Sequence, residues 1–170
     1  LIANWKLNGS KEFNQKWISN FFKYFNGQDL SLLGIAPPSI YLDHLRGLLG
    51  KNNICLGAQN IDDEDSGART GEISASMIKD LGCEFTIVGH SERRTLFNES
   101  NQAISKKLIQ ANRYSLAPIL CIGESAEEYQ NNITHEILHQ QILEALNGSI
   151  ETISLIIAYE PIWAIGSGQT

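Results

Sequence analysis

Polar residues that could carry out chemistry stand directly after several short apolar runs of the sequence. Asn4 and Lys6 follow the first run. His90 follows the fourth run, and Glu160 follows the sixth. A carboxylate base, an imidazole and a lysine ammonium together suit the abstraction of a proton next to a carbonyl group. The two nitrogen groups would stabilise the negative charge that develops on the oxygen.

Each of these residues also has a purely structural interpretation. A strand-end Glu can be satisfied by a helix N-terminus or a lysine, a lone His can be a core residue, and lone lysines are usually solvated. At the start of a helical turn, His90 would stay a neutral imidazole that can donate a hydrogen bond. Residues 89–93 (GHSER) also approach the Gly-x-Ser-x-Gly nucleophile elbow of hydrolases, although Arg93 replaces the last Gly. A serine hydrolase that uses Ser91 is therefore an alternative.

The apolar runs alternate with amphipathic stretches, which indicates repeated strand–helix units and a parallel sheet. The runs begin near Leu1, Leu32, Ile54, Phe85, Ser115 and Leu155. Their mean spacing of about 31 residues equals that of a (β/α)8 barrel, which uses about 250 residues for eight units. We therefore predict an α/β chain with one domain over residues 1–170, a TIM barrel truncated to about six units. A doubly wound open sheet also fits the alternation, but its Gly-x-Gly-x-x-Gly is absent.

The stretches between the runs show helical periodicity. The aromatic residues that share one predicted helical face are Phe13, Trp17, Phe21 and Phe25. We expect this face to pack in the core, because a period of 3.6 residues places all four on one side of a helix. Ser76 and Ser100 are predicted N-caps of two later helices.

The net charge, the length of the apolar runs and the cysteines together disfavour several classes of protein. The net charge of −6 disfavours a nucleic-acid partner, and no apolar run approaches the ~18 residues of a membrane span. Cys55, Cys83 and Cys121 are odd in number and far apart, so we expect neither a disulfide framework nor a C-x-x-C metal site. These features predict a cytoplasmic protein without a membrane partner. Because the sequence starts without Met and ends on a Gly-rich stretch, we also expect a fragment.

Six segments resemble the triosephosphate isomerase family, and they occur in the family's order. They are residues 3–9 (ANWKLNG), 57–60 (GAQN), 67–74 (GARTGEIS), 88–94 (VGHSERR), 121–124 (CIGE) and 158–166 (AYEPIWAIG). The resemblance implies the isomerisation of dihydroxyacetone phosphate and D-glyceraldehyde 3-phosphate through an enediolate, in glycolysis and gluconeogenesis. It also implies that the enzyme uses no cofactor and no metal.

The resemblance assigns roles to particular residues. Glu160 matches the family's catalytic base, and His90 matches the neutral electrophile that polarises the carbonyl. Lys6 matches a catalytic residue that also binds substrate, and Asn4 matches a second substrate-binding residue. Gly166 matches the backbone N–H that meets the phosphate in a closing lid.

Residues 67–74 resemble the loop that crosses a two-fold interface, which implies a homodimer. Arg69 stands where the family usually has an aromatic or apolar residue, and Thr70 would lie beside the partner subunit's site. The family's seventh and eighth units, which supply further phosphate contacts, have no counterpart before Thr170. We therefore expect little activity from these 170 residues alone. The alternative is an inactive partial barrel that acts as a binding or assembly module.

Overall fold

Six short strands run parallel to one another and form one sheet in the order of the sequence. The computed structural model describes residues 1–25, 30, 33–147 and 155–164. The strands are β1 (Ile2–Asn4), β2 (Gly34–Ala36), β3 (Cys55–Ala58), β4 (Phe85–Val88), β5 (Ala117–Ile122) and β6 (Ile156–Tyr159). This sequential order confirms six units of a (β/α) barrel and excludes the doubly wound sheet, whose strand order reverses. The predicted start of the second strand, Leu32, lies outside the described residues.

Seven α-helices connect the strands within the described ranges. They are α1 (Lys11–Tyr24), α2 (Leu42–Leu49), α3 (Ala75–Asp80), α4 (Ser91–Leu96), α5 (Asn101–Arg113), α6 (Ala126–Gln130) and α7 (Thr134–Ala145). A short 3-10 helix, Ser39–Tyr41, precedes α2. Ser100 caps α5 as predicted. The predicted cap Ser76 is wrong, because the side chain of Ser74 caps α3 and Ser76 lies inside its first turn.

The helices cover the outer face of the sheet and form two apolar clusters with it. One cluster joins β1, β2 and β3 to α1, α2 and α3, and includes Leu45, Leu56 and Ile78. The other joins β4 and β5 to α5 and α7 through Val88 and Leu108, among others. Burial on both faces explains why β2 to β5 are continuous apolar runs that do not alternate with polar residues. The two outer strands, β1 and β6, are equally apolar in sequence but are partly exposed in the described structure.

The predicted aromatic face of α1 packs against the first strand only in part. Trp5 meets the rings of Phe13 and Trp17 edge to face, at centroid distances of 5.3 and 5.2 Å. Trp17 stacks on Phe21, which in turn stacks on Phe25. Phe13 and Phe25 remain 44% and 40% exposed, so the two ends of this face are not core positions in the described structure.

The inner face of the sheet is filled at one end by the ring of Phe85. Phe85 lies opposite Gly57 in the ladder between β3 and β4, and its side chain is buried. A Cβ atom at Gly57 would stand 2.3 Å from Cε2 of Phe85. One at Gly34 would stand 2.5 Å from Cδ1 of Ile2 and 2.9 Å from Cε1 of Phe85. Both positions must therefore lack a side chain, because the ring, joined at Gly34 by Ile2, occupies the space in which it would lie.

We expect Gly57→Ala to destabilise the fold by about 1–3 kcal/mol, because the new methyl group overpacks against Phe85. The matched control is Gly47→Ala. Gly47 is an exposed residue of α2, where an added Cβ atom would meet nothing within 4 Å. There the same change should stabilise by up to about 1 kcal/mol, because Ala is the better helix former. Urea unfolding gives both values, and equal effects at the two positions would refute the packing account.

Candidate active site

A cavity of about 470 Å³ opens at the carboxyl edge of the sheet. The curl of the sheet brings the ends of β1, β4, β5 and β6 around it. Four of the lining residues were predicted from the sequence as site residues: Asn4, Lys6, His90 and Glu160. The remaining lining side chains are mostly apolar, among them Ile87, Ile119 and Ala158. A few polar groups that converge in an apolar cavity are typical of a small-molecule site.

His90 forms the N-cap of α4 and is held in one orientation. Its Nδ1 atom accepts a hydrogen bond from the backbone N–H of Glu92 at 3.1 Å. An imidazole nitrogen that accepts a hydrogen bond carries no proton, so the neutral ring must carry its proton on Nε2. Nε2 faces the cavity and lies 3.4 Å from Oε1 of Glu160. The structure thus presents a neutral imidazole N–H to whatever occupies the cavity.

The Glu160 carboxylate lies at the end of β6 and faces three donors, two at the N-terminus of α4 and one in β5. Besides His90, the backbone N–H of Ser91 lies 3.4 Å from Oε2, and the Cys121 thiol lies 3.4 Å from Oε1. Burial, and next the charge of Glu160, raise the pKa of the Cys121 thiol. Cys121 therefore stays a neutral S–H donor. The distances from the two nitrogen atoms are long for hydrogen bonds, whereas 3.4 Å is ordinary for a thiol donor, so the nitrogen groups hold the carboxylate only loosely.

The backbone of Glu160 is fixed more firmly than its side chain. Its N–H donates to the carbonyl of Ile122 at 2.7 Å. On the other side, a Cβ atom at Gly123 would lie 1.9 Å from the carbonyl oxygen of Glu160. Only glycine permits this close approach of the two strand ends. The Gln141 amide of α7 also binds both the N–H and the carbonyl of Gly123, each at 2.9 Å.

Lys6 enters the cavity from the opposite side, after β1, in a strained backbone conformation. Its φ angle is +52°, a value that non-glycine residues rarely adopt. The side-chain oxygen of Asn4 accepts from the Lys6 N–H at 3.0 Å, and the Gln59 amide donates to the Lys6 carbonyl at 2.9 Å. The Lys6 ammonium then reaches Oε1 of Glu92 at 2.7 Å. Strain that neighbouring groups maintain in this way is a feature of functional sites.

Glu124 ties together the residues on both sides of Glu160. It is fully buried at the end of β5, and its Oε1 accepts from the Tyr159 hydroxyl at 3.0 Å and from the Trp163 indole at 2.9 Å. Burial alone would raise the pKa of this carboxyl, but the bonds from Trp163, Tyr159 and neighbouring donors outweigh it and lower the pKa. Glu124 is therefore a buried carboxylate that anchors the segment that leaves β6.

The structure brings together four of the five predicted site residues. The fifth, Gly166, lies outside the described residues. The sequence contains no signal for the roles of Gln59 and Glu124 beyond their positions at strand ends, because their contacts join distant segments. Among the described residues, no group of His, Cys, Asp and Glu has the arrangement of a metal site, and no helix is long and apolar enough to span a membrane.

Comparison with known proteins gives a consistent result. The family model described as triosephosphate isomerase matches residues 1–170. The triosephosphate isomerase of Nitrosococcus oceani is 41% identical over 172 residues, which cover 100% of this chain and 69% of that protein. The triosephosphate isomerase of Erwinia tasmaniensis is 42% identical and is covered to 68%. The crystal structure of the Bartonella henselae triosephosphate isomerase superimposes with a TM-score of 0.85 and 36% identity, over 96% of this chain and 68% of that one.

The strain at Lys6 predicts an unusual order of stability. Lys6→Gly removes the Cβ atom that disfavours a φ of +52°, whereas Lys6→Ala keeps it. We expect the Gly variant to be more stable than the Ala variant by about 1 kcal/mol, the reverse of the order in a helix. Both variants lack the ammonium, so the loss of the Glu92 ion pair cancels. Chemical unfolding of the two variants measures the difference, and an Ala variant at least as stable would show that Lys6 is unstrained.

Proposed function

Since the chain belongs to the triosephosphate isomerase family, we propose that it takes part in the interconversion of dihydroxyacetone phosphate and D-glyceraldehyde 3-phosphate. The observation that carries the proposal is the pair formed by Glu160 and His90. A carboxylate and a neutral imidazole N–H face each other at 3.4 Å in a largely apolar cavity. A base and a hydrogen-bond donor at this spacing suit a carbon acid whose carbonyl oxygen becomes negative.

The proposed reaction proceeds through an enediolate. Glu160 removes a proton from the carbon next to the carbonyl, and the electron pair of that C–H bond moves towards the carbonyl oxygen. Nε2–H of His90 donates a hydrogen bond to this oxygen as it becomes negative. Glu160 then returns that proton to the former carbonyl carbon. The hydroxyl proton of the other carbon passes to the former carbonyl oxygen by way of Nε2 of His90, so that ketone and aldehyde are exchanged and both residues regain their starting protonation states. The hydrogen moves within one molecule and the electron count does not change, so the step needs neither a redox cofactor nor a metal.

Glu160 must leave its present partners to act as the base. The same carboxylate oxygens that would accept the proton now face His90, Ser91 and Cys121. The distance from Nε2 of His90 to the carboxylate is 3.4 Å, so little interaction is lost when substrate enters and takes over the donor of His90.

Lys6 and Asn4 supply the positive side of the proposed site. The Lys6 side chain is 41% exposed beside the cavity, and its ammonium is partly neutralised by Glu92. An anionic triose phosphate would find there a fixed cation, whose strained backbone already holds it in place. The binding energy of the phosphate, a remote group, would serve to align the reacting carbons with Glu160. Gly166 would add a backbone N–H to the phosphate.

We further propose a homodimer through the loop of residues 67–74. This loop is closed at its base by the hydrogen bond from Asp62 N–H to the Ile73 carbonyl, at 2.8 Å. Arg69 pairs with Asp62 and Asp63 at 2.6 and 2.5 Å, which directs the arginine back to its own chain. Thr70 is left exposed at the tip of the loop. A small, polar, pre-formed tip fits a pocket on a second copy.

The non-enzymatic alternative, a binding or assembly module, is separated from the isomerase by an assay of two proteins. One is the chain of residues 1–170. The other, here named the extended chain, continues from Thr170 with the remaining C-terminal part of the Erwinia tasmaniensis relative, of which this chain covers 68%. We expect isomerase activity from the extended chain and little from residues 1–170. An extended chain that is folded and inactive would favour the alternative.

In the extended chain, Glu160→Gln should lower kcat far more than it raises KM, because the base acts only in the chemical step. His90→Phe should lower kcat by about 100-fold or more, the effect of removing one preorganised donor. Ser91→Ala is the matched control, since it keeps the backbone N–H that faces Glu160. It should be mild for an isomerase and fatal for a serine hydrolase. Near-normal kcat in Glu160→Gln would exclude the proposed mechanism.

Thr70→Arg should weaken the dimer of the extended chain and reduce its activity, because a long charged side chain would replace the small tip of the loop. Gln102→Arg adds the same side chain at an exposed position of α5 and should leave both unchanged. Sedimentation velocity over a range of concentrations measures the association. An undiminished dimer with full activity in Thr70→Arg would place the interface elsewhere.

A further inference from the structure

The guanidinium of Arg94 joins the ends of two strands beneath the cavity. Arg94 lies in α4, and its Nε donates to the carbonyl of Gly89 at 2.8 Å. Its Nη2 donates to the carbonyl of Cys121 at 3.1 Å, and its Nη1 donates to Oδ1 of Asn101 at 2.5 Å. One planar group thus fixes the chain just after β4 to the end of β5.

These two carbonyls adjoin the two reacting groups of the proposed site. Gly89 immediately precedes His90. Cys121 belongs to the strand that pairs with β6, and its thiol lies 3.4 Å from the Glu160 carboxylate. A change in the distance between the two carbonyls would therefore change the distance between the imidazole and the carboxylate.

Placing the charged guanidinium of Arg94 partly out of water lowers the stability of the fold, which indicates that the planar shape of this group is needed here. Burial lowers its pKa, while the charges of Glu99 and Glu160 act in the opposite direction. All three of its hydrogen-bond acceptors are uncharged oxygen atoms, so this partly buried cation has no direct carboxylate hydrogen bond within the described ranges. Withdrawing a charge from water destabilises a protein unless its hydrogen bonds are well placed. Only the rigid fork of arginine can donate in three fixed directions at once.

We propose that Arg94 is a positioning residue that sets the separation between His90 and Glu160 by holding the carbonyls of Gly89 and Cys121. The proposal rests on the proposed isomerase function for its kinetic consequences. Its geometric content, the link between the two strand ends, is independent of that function.

If Arg94 had only a structural role, that role would depend on its hydrogen bond to Asn101, on the side away from the two carbonyls. Asn101, which accepts from Arg94, donates from Nδ2 to Glu144 of α7 at 2.8 Å. Arg94 could on that view serve only to join α5 and α7. Glu144→Ala breaks this outer link and leaves both carbonyl contacts intact, so it is the matched control.

The kinetic test compares Arg94→Lys, Arg94→Ala and Glu144→Ala in the extended chain. Lysine keeps the charge but cannot reach both carbonyls, so we expect kcat to fall by about 100-fold with KM changed less than about threefold, as for a misplacement of about 1 Å. Millimolar guanidinium chloride should restore part of the kcat of Arg94→Ala, whereas ethylammonium chloride at the same ionic strength should not. Glu144→Ala should retain kcat within about twofold. Circular dichroism establishes that each variant is folded.

A second measurement keeps the proposal testable if the extended chain is inactive or a variant fails to fold. Nuclear magnetic resonance of residues 1–170 should show that Arg94→Lys shifts the imidazole nitrogen signals of His90 and the amide of Ser91, and that Glu144→Ala does not. An inactive parent with these shifts would refute the isomerase function and support the positioning role. Unchanged signals, or kcat within twofold of the parent in folded Arg94→Lys, would overturn the positioning role. If Arg94→Lys and Arg94→Ala both lose their fold, and the His90 and Ser91 signals of partly folded samples are unshifted, the positioning role is overturned as well.

Discussion

Parallel pairing of each strand with its neighbour in the chain places all six strand ends at one edge of the sheet. The polar residues that follow the strands are thereby collected on that edge, and apolar side chains remain for the two faces. The curl of the sheet then brings β1 towards β4 and β6. Lys6 can reach Glu92 across 86 positions of sequence, and Glu160 can reach Ser91 across 69, only because of this curl.

The site itself is held mainly by hydrogen bonds and charges, whereas the sheet around it is held by apolar packing. Lys6 keeps an unfavourable φ, Glu124 is a fully buried carboxylate, and Arg94 is a partly buried cation. Each of these features costs stability that the apolar clusters on the outer face must offset. Apolar packing on the outer face of the sheet thus supplies stability, whereas the residues at the carboxyl ends of the strands form the candidate site. This division is typical of barrels whose chemistry lies at one end of the strands.

The sequence allowed the strands to be predicted well because each is a continuous apolar run, a simple local signal that matches the burial of β2 to β5 on both faces. The positions of His90 and Glu160 followed, since they stand at the ends of such runs. The cap of α3 was misplaced by two residues because Ser74 and Ser76 both suit a cap, and only the backbone angles of Ser74 decide between them. Gln59 and Arg94 could not be assigned, because each acts on backbone carbonyls of other segments that no sequence pattern marks.

The ring of Phe85 couples the sizes of residues on three strands. Because it lies over Gly34 and Gly57, neither glycine can enlarge while the ring stays, and a smaller residue at position 85 would leave a void over both. Substitutions at these positions must therefore be correlated, because a larger side chain at one position requires a smaller side chain at another. Because Ile2 also lies against Gly34, anyone who redesigns the interior of this sheet should treat residues 2, 34, 57 and 85 as a single unit and vary them together.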